Sequence, residues 1–217
     1  MKRLATTGLI ALAGCGCGPG AVGAGSEEGT SMAEASTGET TPVCDRQAEI
    51  DEAIADLEAI VAGNLAYFSE PHPVDDTDEN GNPYPPHRCP AGYSESEPHL
   101  GPFSSAVTPG IAFNCNDSPD GLCVPTPDGG GAGVYPVSLW TDNSVWARIG
   151  FSKMSPHAFH YELIMDNEPD EYGRCSFTAR AWADFDDDVF FSTYERQGRV
   201  DKDGPVLEPL FIDKPCE

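Results

Sequence analysis

The sequence predicts an α+β domain: one long N-terminal amphipathic helix packed on an antiparallel β-meander, loop-rich and stapled by disulfides. Three observations predict it. Apolar residues recur at helical spacing from Ile50 to Phe68, strand-like aromatic and β-branched runs follow from Ala158 onward, and six cysteines are scattered through the same region. A helix first and consecutive strands afterwards is the element order of folds that segregate helix from sheet.

The chain opens on a different kind of segment. Lys2 and Arg3 precede a run from Leu4 to Ala13 in which only Thr6 and Thr7 are polar. That run is shorter than the roughly 20 apolar residues a membrane-crossing helix needs, and its layout is that of a signal peptide. It ends in Leu12-Ala13-Gly14-Cys15, which resembles the lipobox of bacterial lipoproteins. Residues 1–14 are therefore expected to be removed and Cys15 to carry lipid, with palmitate-type acyl chains. The other reading of the segment is an ordinary secretory signal followed by an unrelated cysteine. Several acyl chains on one residue, each buried CH₂ contributing about 0.8 kcal/mol, make a durable membrane anchor. Gly16 follows the cysteine where an Asp would mark inner-membrane retention. The resemblance to sorted lipoproteins thus implies the outer membrane, with a periplasmic or surface-exposed domain.

Composition narrows the partners. Loss of residues 1–14 takes away Lys2 and Arg3 and no acid, which lowers the formal charge from −24 to −26. Such a surface repels nucleic acid and anionic headgroups and gathers divalent cations. Of eight cysteines, Cys15 is assigned to lipid and Cys17 lies beside it. Cys44, Cys89, Cys115, Cys123, Cys175 and Cys216 remain, an even set that reads in an exported chain as three disulfides of open connectivity. Zinc is the rival reading of these six, but no CxxC spacing occurs. Cys115 and Cys123 bracket Asn-Asp-Ser-Pro-Asp-Gly-Leu, a turn-rich loop that lets the two thiols meet locally.

Residues 15–42 read as a lipidated, disordered tether, because Gly, Ala, Ser, Thr and Glu offer nothing to offset the entropy of ordering. The domain spans 43–217. Ile50, Ile54, Leu57, Val61, Leu65 and Phe68 mark one face of a helix, with Asp45 at its N-cap and Pro71 beyond its end. Residues 71–138 are punctuated by Pro and Gly and read as irregular. Asn143 and its neighbours cap a short helix carrying Val145, Trp146 and Ile149, closed by Gly150. Strands are expected over 158–165, 176–183, 189–195 and 206–212, joined as a meander.

This order resembles the soluble headgroup of type IV pilin-like proteins, minor pilins and pseudopilins among them. The residues that carry the resemblance are Asp56-Leu57-Glu58-Ala59-Ile60 through Ala66-Tyr67-Phe68-Ser69-Glu70, similar to the exposed half of the pilin spine helix. Pro86-His87-Arg88-Cys89-Pro90, Trp146-Ala147-Arg148-Ile149-Gly150-Phe151 and the stretch Cys175 to Asp186 leading into Ser192-Thr193-Tyr194-Glu195-Arg196 are similar to later stations of that family. The resemblance implies a type IV pilus or secretion-system partner. It stops short of the prepilin processing site and apolar helix half, which a signal peptide, lipid and tether replace here.

Asp184, Asp186, Asp188, Ser192 and Glu195 stand at positions 1, 3, 5, 9 and 12 of an EF-hand-like spacing, in which such carboxylates converge on calcium. Val189 takes the sixth place, where glycine is usual, and a β-branched residue resists positive φ. A looser calcium site on the three aspartates and a plain solvated hairpin turn both remain open. His157-x-x-His160 lies in a strand-like run, where residues three apart face opposite sides, which disfavours a shared metal. No catalytic Ser, metalloprotease or phosphate-loop motif occurs. The expectation is a non-enzymatic, lipid-anchored pilin-like module for surface structure, assembly or interaction. The alternative is a calcium-dependent binding module, ahead of an enzyme of unrecognised type.

Overall fold

A computed structural model describes residues 45–216 apart from residue 79. The expected signal peptide, the expected lipid site Cys15, the expected tether and Cys44 lie outside the described residues.

Helix α1 (Gln47–Ser69) turns Ile50, Ala53, Leu57, Ile60, Val61, Tyr67 and Phe68 inward. Asp45 does not cap it. Arg46 occupies the N-cap, its side chain bonded to Glu49 and not to the helix backbone, and the first helical hydrogen bond runs from Ile50 N–H to the Arg46 carbonyl at 3.0 Å. At the other end the chain becomes extended at Glu70, and Pro71 follows. The Tyr67 ring stacks on His72 with centroids 3.8 Å apart, and His87 stacks in the same way on Tyr172 at 4.2 Å. No helix among the described residues is long and apolar enough to cross a membrane.

The stretch expected to be irregular contributes to the sheet after all. Strand β1 (Gly101–Ser104) pairs with the later strand β4 (His160–Glu168) and forms one edge. Two short strands, β2 (Val124–Thr126) and β3 (Val134–Pro136), form a separate parallel pair. Among these loops the guanidinium of Arg88 is buried and donates to the carbonyls of His72, Pro85 and Glu95. One side chain thus satisfies backbone oxygens that no ladder reaches.

The main sheet is antiparallel throughout. Its order is β1-β4-β5-β6-β7, with β5 (Arg174–Ala183), β6 (Ser192–Asp201) and β7 (Gly204–Leu207) following β4 in sequence. The expected last strand over 206–212 is in fact two. β7 lies beside the far half of β6, and β8 (Phe211–Asp213) lies beside its near half. Pro209 sits in the gap and has no N–H to continue a ladder. The expected strand over 189–195 begins only at Ser192, because positive φ at Asp187 and Val189 extends the turn.

The core lies where α1 meets β5 and β6. On its buried face β5 presents Cys175, Phe177, Ala179, Ala181 and Ala183, and the three alanines leave room for the helix. Helix α1 also packs on the short helix α3 (Ser144–Ile149), which follows α2 (Ser138–Thr141). A Cβ on Gly63 would lie 2.3 Å from the Ile149 carbonyl oxygen, so glycine sets that approach. The side chain of Asn143 accepts from Val145 N–H and Trp146 N–H, and Gly150 ends α3 with φ +68°. Trp140, Trp146, Phe151 and Tyr161 pack between the short helices and β4. Beneath α1, Lys153 Nζ donates to Glu52 Oε1 at 2.5 Å and to Asp56 Oδ2 at 2.7 Å, and Tyr161 Oη donates to Asp56 Oδ2 at 2.6 Å.

Two disulfides staple the loops. Cys89–Cys175 ties the first loop to β5 across 86 residues, and Cys115–Cys123 closes a local loop across 8. In the chain-entropy account these contribute about 4.5 and about 2.5 kcal/mol through the unfolded state. The end of the chain comes back to the start of α1. Tyr194 Oη donates to the Pro215 carbonyl, Tyr194 packs on Phe159, Phe159 on Phe185, and the Arg46 guanidinium lies over Phe185. The two bridges use four of the six cysteines, and Cys44 and Cys216 remain for the third. Mass mapping of unreduced protein is expected to find Cys44 joined to Cys216 as the third bridge. Recovery of either residue as an alkylated free thiol from native material would refute it.

Candidate functional site

The residues that carry chemistry meet at one cleft of about 190 Å³. Its walls include Asn114, Cys115 and His160 on one side and Asp184, Asp187 and Val189 on the other. A larger hollow of about 640 Å³ opens between β1 and the start of α3, among Tyr93, His99, Phe103 and Asn143, away from the disulfide and the acidic turn.

One wall is the Cys115 loop. Asn114 caps a single 3₁₀ turn at Cys115–Asp117, its Oδ1 accepting from Asn116 N–H at 3.1 Å. The two asparagines then stitch this loop to the β5–β6 turn. Asn116 Nδ2 donates to the Asp184 carbonyl at 2.6 Å, and Asn114 Nδ2 donates to Asp187 Oδ1 at 3.2 Å. Cys123 is held from behind by a two-way bridge to His157, N–H to carbonyl at 2.7 Å and back at 3.1 Å.

The acidic turn is tightly organised. Asp184 Oδ1 accepts from Asp188 N–H and its Oδ2 from Val189 N–H, while Asp188 Oδ1 accepts from Phe190 N–H. Carboxylate oxygens of Asp184, Asp186 and Asp188 lie within 4.8 Å of one another. Each retains acceptor capacity beyond its bond to backbone. Val189 adopts φ +68°, the conformation its branching was expected to resist, and so makes the turn that glycine makes elsewhere. The later positions of the spacing depart from the loop geometry. Glu195 lies on β6 paired with Arg180, with Gln197 as a further donor, so its carboxylate is engaged away from the turn. Ser192 is buried at the first position of β6, opposite Ala183. The reason is register: β6 starts at Ser192, and its pleat carries Glu195 along the sheet rather than back over the turn.

His160 was weighed in the sequence only as a partner of His157, and its contact with Cys115 appears only in the fold. It starts β4, where both faces of the strand are covered, so it is buried alongside Tyr161. Its Nδ1 lies 2.8 Å from the Pro109 carbonyl, which can only accept, so Nδ1 carries the proton. Nε2 is left with its lone pair 3.6 Å from Cys115 Sγ. Cys115 and His160 are 45 residues apart in the chain, and no short motif marks such a pair. The other ring, His157, accepts or donates at Nε2 to Tyr135 Oη at 2.7 Å, and Trp140 Nε1 donates to the same oxygen at 2.9 Å. Its buried Nδ1 has no hydrogen-bond partner among the described residues. Of the other aromatics, Trp140 and Trp146 are core, Trp182 and Phe191 are half-buried, and Phe190 is exposed.

Burial shifts these groups strongly. It holds His157 down at about 3, helped by the Lys153 ammonium, and holds His160 below the ordinary imidazole range. Burial pushes the Tyr135 hydroxyl up to about 12. Both histidines are therefore neutral in the fold near neutral pH. A depressed folded pKa means that the unfolded chain takes the proton first, so the stability is present above pH ~6.5 and drains away as pH falls. Urea denaturation is expected to show stability falling between pH ~6.5 and ~4.5, by about 1.4 kcal/mol per pH unit for His157 once it fully titrates in the unfolded chain, with a contribution of the same sign from His160. His157→Gln should remove the share of that slope due to His157; an unchanged slope would show that this ring does not set it. Comparison with family models, curated proteins and solved structures finds no match to this chain.

Proposed function

We propose that this chain is a lipid-anchored, extracytoplasmic, pilin-like module without catalytic activity, acting in cell-surface structure, assembly or interaction. The observation that carries the reading is the packing of the 23-residue α1 along an antiparallel sheet, with disulfide-tied loops between helix and sheet. The aromatic end of the helix, Tyr67-Phe68, and the Arg88-Cys89 station both anchor the intervening loop, which supports the resemblance at the residues that carry it. Lipid on Cys15 takes over the membrane role of an apolar helix half, so the head works beside a pilus or secretion assembly and not inside its core. The outer membrane is the proposed address. A charge of −26 on the mature chain directs the head to protein or cationic partners and away from nucleic acid.

Cys15→Ser is expected to yield an exported protein released from the membrane, or an unprocessed precursor. Acyl groups should appear on the mature N-terminus of the parent by mass spectrometry. Their absence there would overturn the anchored reading.

One observation favours a second reading, calcium binding at the acidic turn. Asp184, Asp186 and Asp188 converge, and Val189 supplies the positive φ of the sixth position. With Glu195 engaged elsewhere, the site belongs at the weak end of extracellular calcium modules, about 10⁻⁴–10⁻³ M. The melting temperature is expected to rise with millimolar Ca²⁺ and to rise less with Mg²⁺. At about 100 times Kd the gain is about 2.7 kcal/mol. The double variant Asp186→Asn, Asp188→Asn should lose the response. An equal response in that variant would mean general screening of the acidic surface.

A further inference from the structure

We propose that Cys115, Cys123 and His160 form a redox-gated zinc site: reduction of the disulfide frees two thiolates, which take one zinc ion together with the His160 imidazole. The inference stands apart from the pilin-like reading and from the calcium reading, since it uses soft ligands on the opposite wall of the cleft.

The ligand atoms are already assembled, with both sulfurs and a His160 ring nitrogen within 4.8 Å of one another. His160 Nε2 stands 3.6 Å from Cys115 Sγ. A tetrahedral zinc with Zn–S about 2.3 Å and Zn–N about 2.05 Å places nitrogen and sulfur about 3.6 Å apart. That edge of the site exists before any metal arrives. The second edge requires the sulfurs to part to about 3.8 Å. They belong to a loop only 8 residues long and to no strand of the main sheet, so parting them breaks no ladder of that sheet.

The imidazole is oriented as a metal ligand needs to be. Its Nδ1–H is committed to the Pro109 carbonyl, which fixes the tautomer and aims the Nε2 lone pair at the sulfur. Cys115 and His160 both line the cleft, so the fourth coordination position opens toward solvent and is filled by water. Asp184 and Asp187 on the facing wall raise the local concentration of cations.

Reduction needs a dithiol donor. Its thiolate attacks Cys115 Sγ, the sulfur whose residue borders the cleft, and the S–S bond breaks to leave Cys123 as thiolate. The donor's second thiol then attacks the mixed disulfide, releasing Cys115 as thiolate and the donor as its own disulfide. Two electrons pass to the cysteine pair. The two thiol protons of the donor go to the cysteines or to solvent, and zinc binding displaces any that the cysteines hold.

The test uses the full mature chain in detergent, reduced with a dithiol, freed of it under nitrogen, and titrated with zinc. The reduced protein is expected to bind one zinc at this site and the oxidised protein none there. Zinc should protect Cys115 and Cys123 from alkylation, as read by mass mapping residue by residue. His160→Gln should weaken that protection by at least ~10-fold, no less than the loss of an outer-shell partner costs, while Cys115–Cys123 still forms on oxidation. Should His160→Gln not fold, Cys123→Ser gives the same reading through the alkylation rate of Cys115. Alkylation of both cysteines at the same rate with and without zinc would overturn the proposal, as would equal protection in the His160 variant.

Discussion

The ammonium of Lys153, buried under α1, is the constraint on which the rest of the architecture depends. It reaches two carboxylates one turn apart on the helix, Glu52 and Asp56, and Asp56 in turn accepts from Tyr161 on β4. Burying such a group gains little net energy over an apolar substitute, but leaving one partner unmatched costs about 3–5 kcal/mol. The cluster therefore acts on geometry. Slide the helix by a residue and the carboxylates rotate away from Lys153, which disfavours other registers of α1 on the sheet. The alanines of β5 and the glycine at 63 then allow that register to close to full contact.

The antiparallel sheet was legible because its strands obey a simple rule: side chains alternate, and the buried set of β5 is apolar at every second residue from Cys175 to Ala183. What stayed hidden obeys no local pattern. Strand β1 is four residues, Gly-Pro-Phe-Ser, with a proline inside it, and it is a strand only because β4 offers it an edge. The break between β7 and β8 is similar in kind, since both are short and exposed and take their conformation from β6. That the domain holds disulfides could be read from its even set of cysteines, and two of the three expected bridges are seen among the described residues. Of the two pairings seen, the local one followed from its turn-rich loop, and Cys89–Cys175 required the fold.

The cleft shows the same division. Three aspartates at alternate positions in one turn are visible in any sequence, and they do converge. The twelve-residue spacing misled beyond them, because a strand starting at Ser192 overrides a loop ligand pattern at Glu195. Val189 departed from its own steric preference because the carboxylate of Asp184 holds the backbone N–H groups of residues 188 and 189. The pairing of His160 with Cys115 was illegible for a plainer reason. The partners of the ring, Pro109 and Cys115, come from a loop whose path depends on Asn114 and Asn116 bonding to a turn some 70 residues away in sequence.

The way β6 is flanked bears on how such a domain can associate. Two short strands, one on each half of β6, occupy the hydrogen-bonding groups that a long outer strand would leave open. At the far side β1 covers one half of β4, and Ser105 and Thr108 donate N–H to the Leu163 and Tyr161 carbonyls along the other. Neither border of the sheet is a long, flat template, which is how natural sheets avoid recruiting a stray strand from a neighbour. Copies held close together would then be protected from edge-to-edge aggregation. Contact with any partner falls to side chains on the faces and loops, where the acidic turn and Phe190 beside it are exposed.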